Sequence, residues 1–368
     1  MPKNNLCVAH IISPKTWRGG EQQAIYLVKY LQSQQVKQYV ICQKGSLVEA
    51  YCLENKISFV SLKIRFGLDI FFAFQVFQFL KKESINLIHL HDSKAHSLGV
   101  ITAFLFQLKT PMILHRRVDY PISKNWFSSF KYNYPLIKRI ICVSKEVERI
   151  LQKDLKNKSI TQVIYDCIDT TRFPLQKTNR LRTEFGFASD DYVVANIAAL
   201  SHQKDYFTFI DTVKILISKG FVGRFVAFGD GPEKQLILDY AKEQGMLGHI
   251  TFAGYRTDMP ELIRDLDLLL FTSQNEGLGS SILDCFYCGI PVVSTDAGGI
   301  KELITHNFNG YLAKVKDTNG LAAGVLLAYN SPKIALLWVE NAKSCVERFE
   351  LDVTGNETLC LYQEAHTA

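Results

Sequence analysis

Short β-branched runs alternate with helical patterns along this chain of 368 residues, and the alternation breaks once and then restarts. Strands are expected at Leu6–Ile12, Gln38–Cys42, Ile57–Leu62, Leu87–Leu90, Met112–His115, Arg139–Val143 and Gln162–Tyr165. Helical stretches fall between them near Glu21–Gln32, Asp69–Lys82, His96–Gln107 and Lys145–Leu151. Short apolar runs separated by segments of helical period are the pattern of a parallel sheet covered on both faces. The polar segment Asp166–Asn179 interrupts it, and the rhythm resumes with strands at Tyr192–Ala198, Arg224–Phe228, Ile250–Phe252, Leu266–Thr272 and Pro291–Ser294. The fold class is therefore α/β, two Rossmann-like domains facing across a cleft. They cover 1–170 and 171–368, and the final helix can cross back to the N-terminal domain. Ligands of such sheets sit beyond the carboxyl ends of the strands, so the strand-to-helix turns are where chemistry is sought.

Charge is shared unevenly. The net charge is +6, but residues 1–170 hold 24 Lys and Arg against 12 Asp and Glu, a surplus of +12, and the remainder carries −6. A basic half of that kind suits an anionic partner: a membrane surface, a phosphorylated substrate or nucleic acid. With 47% apolar residues the chain is neither disordered nor a small stapled scaffold. Its first residues, MPKNNLCVAHII, read as a strand without a charged n-region and long apolar h-region, so no signal peptide is expected. The longest apolar stretch, Leu68–Leu80, is broken by Asp69, Gln75 and Gln78, so no spanning helix is expected either. The nine cysteines are read as reduced thiols. Cys285 and Cys288 form a single C-x-x-C, taken as small residues filling a packed helix face rather than zinc ligands or a redox pair.

Two turns stand out. The first strand runs into SPKTWRGGEQQ, where Gly19 and Gly20 precede a helix opened by Glu21. Paired glycines let an anionic group approach the backbone, and a helix N-terminus offers it free N–H donors. The stronger segment is FTSQNEGLGSSILDCFYCGIPVVSTDAGGIKELI, residues 271–304. Here a buried strand leads to Glu276, then Gly277, Leu278, Gly279 and Ser280, then a helix carrying Ser281 and Asp284. A second glycine turn, Ala297–Gly299, precedes Glu302. Glycines and a helix N-terminus suit a phosphate. Carboxylates repel phosphate, so the flanking acids suit sugar hydroxyls.

With these parts in order the chain resembles the retaining glycosyltransferases of family 4, which have the GT-B fold. The resemblance covers nearly the whole length through W-R-G-G-E, LIHLHDSKAH, ICVSKEV, VIYDCIDTTRF, LSHQKD, FGDGPE, E-G-L-G, G-I-P-V-V-S and A-G-G-I-K-E-L-I. It implies a nucleotide-sugar donor held mainly by the C-terminal domain and an acceptor mainly on the N-terminal one. By the same resemblance Glu276 contacts the donor sugar hydroxyls, Asp284 the ribose and Lys204 the diphosphate. Gly19 and Gly20 close over the phosphates, and Gly229, Gly277, Gly279, Ser280 and Ser281 supply further donor contacts. Glu302 orients the donor loop, and His115 polarises the transferred sugar or meets the acceptor. Three departures are visible. Asp284 stands in place of the family's second Glu, Ala199 where an Arg often pairs the lysine, and Cys167 where a turn glycine is usual.

The resemblance implies transfer with retention, no metal and no cofactor, the nucleotide-sugar being a substrate. Arg116, Arg117, Lys124, Trp126 and Lys131 combine cationic and aromatic side chains in what reads as a loop suited to a glycan or lipid-linked acceptor or to an anionic inner-membrane surface. Nucleic acid is not an expected partner, because the bases are not clustered on one helix. The resulting expectation is a cytoplasmic enzyme, peripheral at the inner membrane, in lipopolysaccharide or surface-polysaccharide synthesis. A nucleotide-sugar 2-epimerase of the same fold and a non-catalytic sugar-nucleotide binder are the alternatives. His89, His91 and His96 around Asp92 are read as a structural turn or acceptor contact in preference to a metal site, and the phenylalanines of Leu68–Leu80 as core.

Overall fold

The structure, a computed structural model, describes residues 6–65 and 69–367, so Leu68, where that apolar stretch begins, lies outside the described residues. The chain forms two compact units: Met1–Cys167 with Leu351–Ala368, and Ile168–Glu350.

The first unit holds one parallel sheet of seven strands: β1 Cys7–Ile12, β2 Lys37–Gln43, β3 Phe59–Leu62, β4 Leu87–Leu90, β5 Met112–Arg116, β6 Ile137–Cys142 and β7 Thr161–Val163. Their order is β3-β2-β1-β4-β5-β6-β7, so the sheet reverses its winding between β1 and β4. One face packs under helices Gly19–Ser33 and Leu351–Thr367, with Val8, Leu31, Leu87, Ile113 and Tyr362 in a shared apolar cluster. The second unit holds β8 Val193–Ile197, β9 Arg224–Phe228, β10 Ile250–Gly254, β11 Leu268–Phe271, β12 Val292–Thr295 and β13 Tyr311–Ala313. Their order, β10-β9-β8-β11-β12-β13, reverses between β8 and β11. Phe209, Val213, Phe225, Leu270 and the fully buried Trp338 fill its core. Both units have the GT-B type of doubly wound sheet. The rhythm in the sequence comes from strands buried on both faces, which read as continuous apolar runs.

Short elements escaped the sequence pattern. Strand β13 has three residues, and helices Leu47–Glu54, Trp126–Tyr132 and Met259–Ile263 have eight, seven and five, too few for a period to declare itself. The basic aromatic segment read as a loop is therefore partly helix. Asn125 caps it, its side chain accepting from Ser128 N at 2.7 Å. The phenylalanine-rich helix, Ile70–Lys82, is only half core. Phe72, Ala73, Val76 and Leu80 are buried, whereas Ile70, Phe71 and Phe74 are exposed.

Candidate functional site

In the second unit the carboxyl ends of β8 and β11 meet at the reversal point. The turn after β8, Ala198–Lys204, and the loop after β11, Thr272–Gly279, are tied together by backbone. Gln203 O accepts from Gln274 N at 2.9 Å and Asn275 N at 3.3 Å, and Thr272 Oγ1 donates to Asp205 O at 3.1 Å. Asp205 holds a left-handed conformation, φ +46°, and its carboxylate caps helix Tyr206–Ser218. A non-glycine residue there is uncommon and strained. It turns the chain sharply just after Lys204, whose ammonium pairs with the Glu276 carboxylate. Both side chains keep about an eighth of their surface exposed, 15% and 13%, and Ser273 Oγ donates to the same Glu276 oxygen at 3.2 Å. The ammonium also sits 5.4 Å from the Phe271 ring centroid.

The glycines have separate jobs. Gly279, at φ +102°, is the residue before helix Ser280–Cys288, and a side chain on it would crowd Ile282 Cδ1 at 3.1 Å. Gly277, Leu278 and Gly279 are buried, so the loop lies flat against the helix start. Gly229 serves packing: at φ +139°, a Cβ there would stand 1.9 Å from Ala198 O. The Ala198–Leu200 turn, where the family often has an Arg, is thus pressed against the FGDGPE turn, with Leu200 N donating to Asp230 O at 3.2 Å. Ser280 begins the helix, and Ser281 Oγ donates to Ile197 O at 3.0 Å. Gly299 N donates to Glu276 O at 3.0 Å, joining the second glycine turn to the first. Glu302 follows in helix Ile300–Leu303, and its carbonyl accepts from Arg348 at 2.7 Å. Burial pushes the Asp284 carboxyl up to about 6, and Arg172 pulls it partly back. Cys285 and Cys288 are buried on the same helix, and burial raises both thiols.

The first unit gathers a different set. Gly19 and Gly20 are the first two residues of helix Gly19–Ser33 rather than a turn before it, and Arg18 N donates to Glu21 Oε2 at 2.8 Å. A Cβ on Gly20 would lie 3.8 Å from Arg117 Cδ, so Arg117 runs beside the helix start. Arg117 donates to His91 O at 3.1 Å, to Asp166 Oδ1 at 3.3 Å and to His115 Nδ1 at 3.0 Å. A guanidinium cannot accept, so His115 carries its proton on Nε2. That nitrogen is buried without a hydrogen-bond partner among the described residues. Burial, reinforced by Arg117, holds the His115 ring well below the usual histidine range.

Two of the five acceptor-side residues do not stand at the surface, which corrects the picture of one exposed basic patch. Arg116 is buried, its guanidinium spent on Tyr132 Oη and Tyr120 O. Lys131 is buried and donates to Ser97 Oγ at 3.1 Å. Lys124 and Trp126 are exposed, Trp126 at 78%. Asp92 caps helix Ser93–Leu105 and accepts from Ser13 N at 2.8 Å. His96 turns away from His89 and His91, with Nε2 donating to Lys131 O at 3.0 Å. The ring that joins His89 and His91 is His10, on β1, which the motifs of the sequence do not single out. The one signal for it is the H-x-H spacing of 89 and 91, which puts both rings on one face of a strand neighbouring β1.

Fold and site together define a GT-B glycosyltransferase: two doubly wound units, one with a lysine–glutamate pair and a glycine-capped helix at its reversal point. Residues 177–344 match the family Glycosyl transferases group 1, and residues 17–172 match Glycosyltransferase Family 4. The chain belongs to this glycosyltransferase family. It is 23% identical over 303 residues to the N-acetyl-alpha-D-glucosaminyl L-malate synthase of Bacillus anthracis, covering 80% of this chain and 79% of that one. To the UDP-Gal:alpha-D-GlcNAc-diphosphoundecaprenol alpha-1,3-galactosyltransferase of Escherichia coli it is 22% identical over 355 residues, covering 92% and 91%. The crystal structure of Anabaena HepE in complex with UDP and glucose has the same fold: TM-score 0.85, 20% identity, 98% of this chain and 100% of that one.

Proposed function

We propose that the protein moves a sugar from a nucleoside-diphosphate donor to a glycan or lipid-linked acceptor with retention at the anomeric carbon, and without a metal in the transfer step. The Lys204–Glu276 pair at the β8/β11 reversal point carries this reading. A diphosphate competes with Glu276 for the ammonium, because both are anionic partners of the same cation. Binding the donor therefore exchanges the ion pair: Lys204 turns to the diphosphate, and the freed Glu276 carboxylate accepts hydrogen bonds from the sugar hydroxyls. The start of helix Ser280–Cys288, opened by Gly279, adds backbone N–H donors toward the departing charge. Asp284, one turn further on, accepts from the ribose. Uridine is the first nucleoside to try, since HepE was crystallised with UDP and the Escherichia coli relative is named for UDP-Gal.

On the acceptor side the proposal includes an anionic lipid surface. Phe71 and Phe74 on helix Ile70–Lys82, Phe104 on helix Ser93–Leu105, and Trp126 and Phe130 on helix Trp126–Tyr132 are all exposed. Phe104 and Phe130 meet edge to face at 6.0 Å. Lys81, Lys82 and Lys124 are exposed on or next to the same helices. Exposed aromatics ringed by lysines are the composition of an interfacial anchor. Among the described residues no single helix is long and apolar enough to cross a membrane.

Calorimetry against UDP-, GDP-, ADP- and CMP-sugars identifies the donor. NMR of the product's anomeric proton reads the stereochemistry, and the same assay with excess chelator tests the metal. Inverted product, or transfer that stops with chelator while circular dichroism shows the chain still folded, overturns the mechanism. Vesicles with and without anionic lipid test the surface, and equal binding to both sinks that part.

A further inference from the structure

Three imidazoles meet inside the first unit at its own reversal point. His10 on β1 pairs in register with His89 on β4, and His91 follows two residues on, so all three rings project from one face of the sheet. They are 0%, 0% and 5% exposed. One ring nitrogen from each lies within 4.8 Å of the other two. His10 Nδ1 and His91 Nε2 are 2.9 Å apart.

The surroundings set the tautomers. The Gln38 amide nitrogen donates to Val28 O at 2.7 Å, which leaves its Oε1 facing His10 Nε2 at 3.1 Å. An amide oxygen only accepts, so His10 carries its proton on Nε2 and presents the Nδ1 lone pair to His91. The Tyr362 hydroxyl holds His89 Nδ1. His89 Nε2 and His91 Nδ1 are buried with no hydrogen-bond partner among the described residues. Burying a polar nitrogen unpaired costs about 1–3 kcal/mol, and an ion bound at His89 Nε2 removes that cost there. His115 is excluded from the set, because Arg117 occupies its Nδ1 and fixes the proton on Nε2.

We propose that His10, His89 and His91 form a site for a divalent transition-metal ion, with Zn2+ as the probe, that braces β1 against β4 and takes no part in sugar transfer. Three imidazoles with an open fourth position for water or hydroxide form a recurrent zinc donor set. Tetrahedral Zn–N bonds of about 2.0–2.1 Å put the ligand nitrogens roughly 3.4 Å apart. His10 Nδ1 and His91 Nε2, 2.9 Å apart, stand closer than that, and the three ligand atoms lie within 4.8 Å of one another, so ligation requires the rings to shift. His91 ligates through Nε2 by moving its proton to Nδ1, so no proton leaves the protein. Gln38 and Tyr362 are then the outer partners that orient His10 and His89, the usual arrangement around ligating imidazoles.

The test is calorimetric titration of the chelator-treated full chain with Zn2+, with Co2+ absorption as a second readout. The expected result is one ion per chain at micromolar Kd or tighter, a raised Tm, and a visible tetrahedral Co2+ spectrum. His91→Asn should weaken Zn2+ at least about 100-fold. Gln38→Ala keeps every ligand but frees His10 Nε2, and should weaken it about 10-fold. His96→Asn, a buried histidine outside the cluster, should leave it unchanged. Absence of stoichiometric binding to the wild-type chain overturns the site whatever the variants do. So does a folded His91→Asn, judged by circular dichroism, that binds as tightly as wild type.

Discussion

The two sheets reverse at equivalent places, between β1 and β4 in one unit and between β8 and β11 in the other, yet the polar groups gathered there are opposite in kind. In the second unit Lys204 and Glu276 form a partly exposed ion pair. In the first, His10, His89, His91 and His115 are buried and held neutral. The second unit thus presents an exchangeable ion pair at its reversal point, whereas the first buries neutral rings beside the Arg117–Asp166 pair. A charged pair near water is exchangeable by an ionic ligand. Buried neutral rings respond instead to protons and metals, and to unfolding.

The sharpest way to break that contrast is at Glu276. Glu276→Gln keeps the shape but ends the ion pair and replaces a charged acceptor of the sugar hydroxyls with a neutral amide. The expected outcome is a loss of about 10³-fold in kcat, comparable to removing one preorganised charge-stabilising group, with the thermal midpoint little changed. Steady-state kinetics that keep even a tenth of wild-type kcat would remove Glu276 from the chemistry. Lys204→Met comes next. It should raise the donor Kd roughly 10- to 100-fold, the range of a charge-assisted contact of about 1.5–3 kcal/mol. Free sugar without a diphosphate should bind the variant and the wild type alike. If the diphosphate donor also binds both equally, the exchange of ion-pair partners is wrong.

Much of the fold is legible in the amino-acid sequence alone. Strands Leu87–Leu90 and Arg224–Phe228 fall where their apolar runs predict, because a parallel strand covered on both faces is mostly apolar and contrasts with the polar turns that bound it. The E-G-L-G loop is legible too, since Gly279, at φ +102°, holds a backbone conformation that side chains rarely adopt. Pairings over long sequence separations are not. Nothing local says that Lys204 meets Glu276, or that His10 joins His89 and His91 rather than His96. Gly229 has a reason that the sequence does not show: its motif suggests a ligand contact, and the close Ala198 carbonyl by itself already leaves no room for a side chain. Arg116 and Lys131 pass for surface charges in the sequence because helix Trp126–Tyr132, which carries Lys131 and whose Tyr132 hydroxyl holds Arg116, is too short to show a period.

The buried histidines make the first unit the acid-sensitive one. Burial lowers His10 and His96 to about 3, whereas an unfolded histidine titrates near 6.5. Below pH 6.5 the unfolded chain takes up protons that the folded rings refuse, so their stabilising contribution is complete above that pH and is lost as pH falls. Each such ring costs about 2 kcal/mol of stability by pH 5. His96→Gln, outside the three-histidine cluster, isolates one of them. Denaturant unfolding should show the variant less stable than wild type at pH 8, with the gap shrinking by about 2 kcal/mol at pH 5. A gap that stays constant with pH would mean His96 is not held neutral.

Asp284 offers the smallest and most discriminating effect, because its shift runs the other way. Burial raises its carboxyl to about 6, so the folded protein holds a proton there that the unfolded chain, titrating near 4, has released. Raising the pH through 6 ionises it in place and turns a partial donor into an acceptor for two ribose hydroxyls. Donor affinity should therefore rise with pH between 5 and 7, by no more than about tenfold for a single ionisation. Asp284→Asn should flatten that rise and leave affinity near the low-pH value, while Glu276→Gln should keep the slope. A ribose-lacking diphosphate sugar probes the same point from the ligand side, since its binding should show no step at pH 6. Should both ligands show the step, the titrating group acts on the diphosphate, and Asp284 is not the ribose contact.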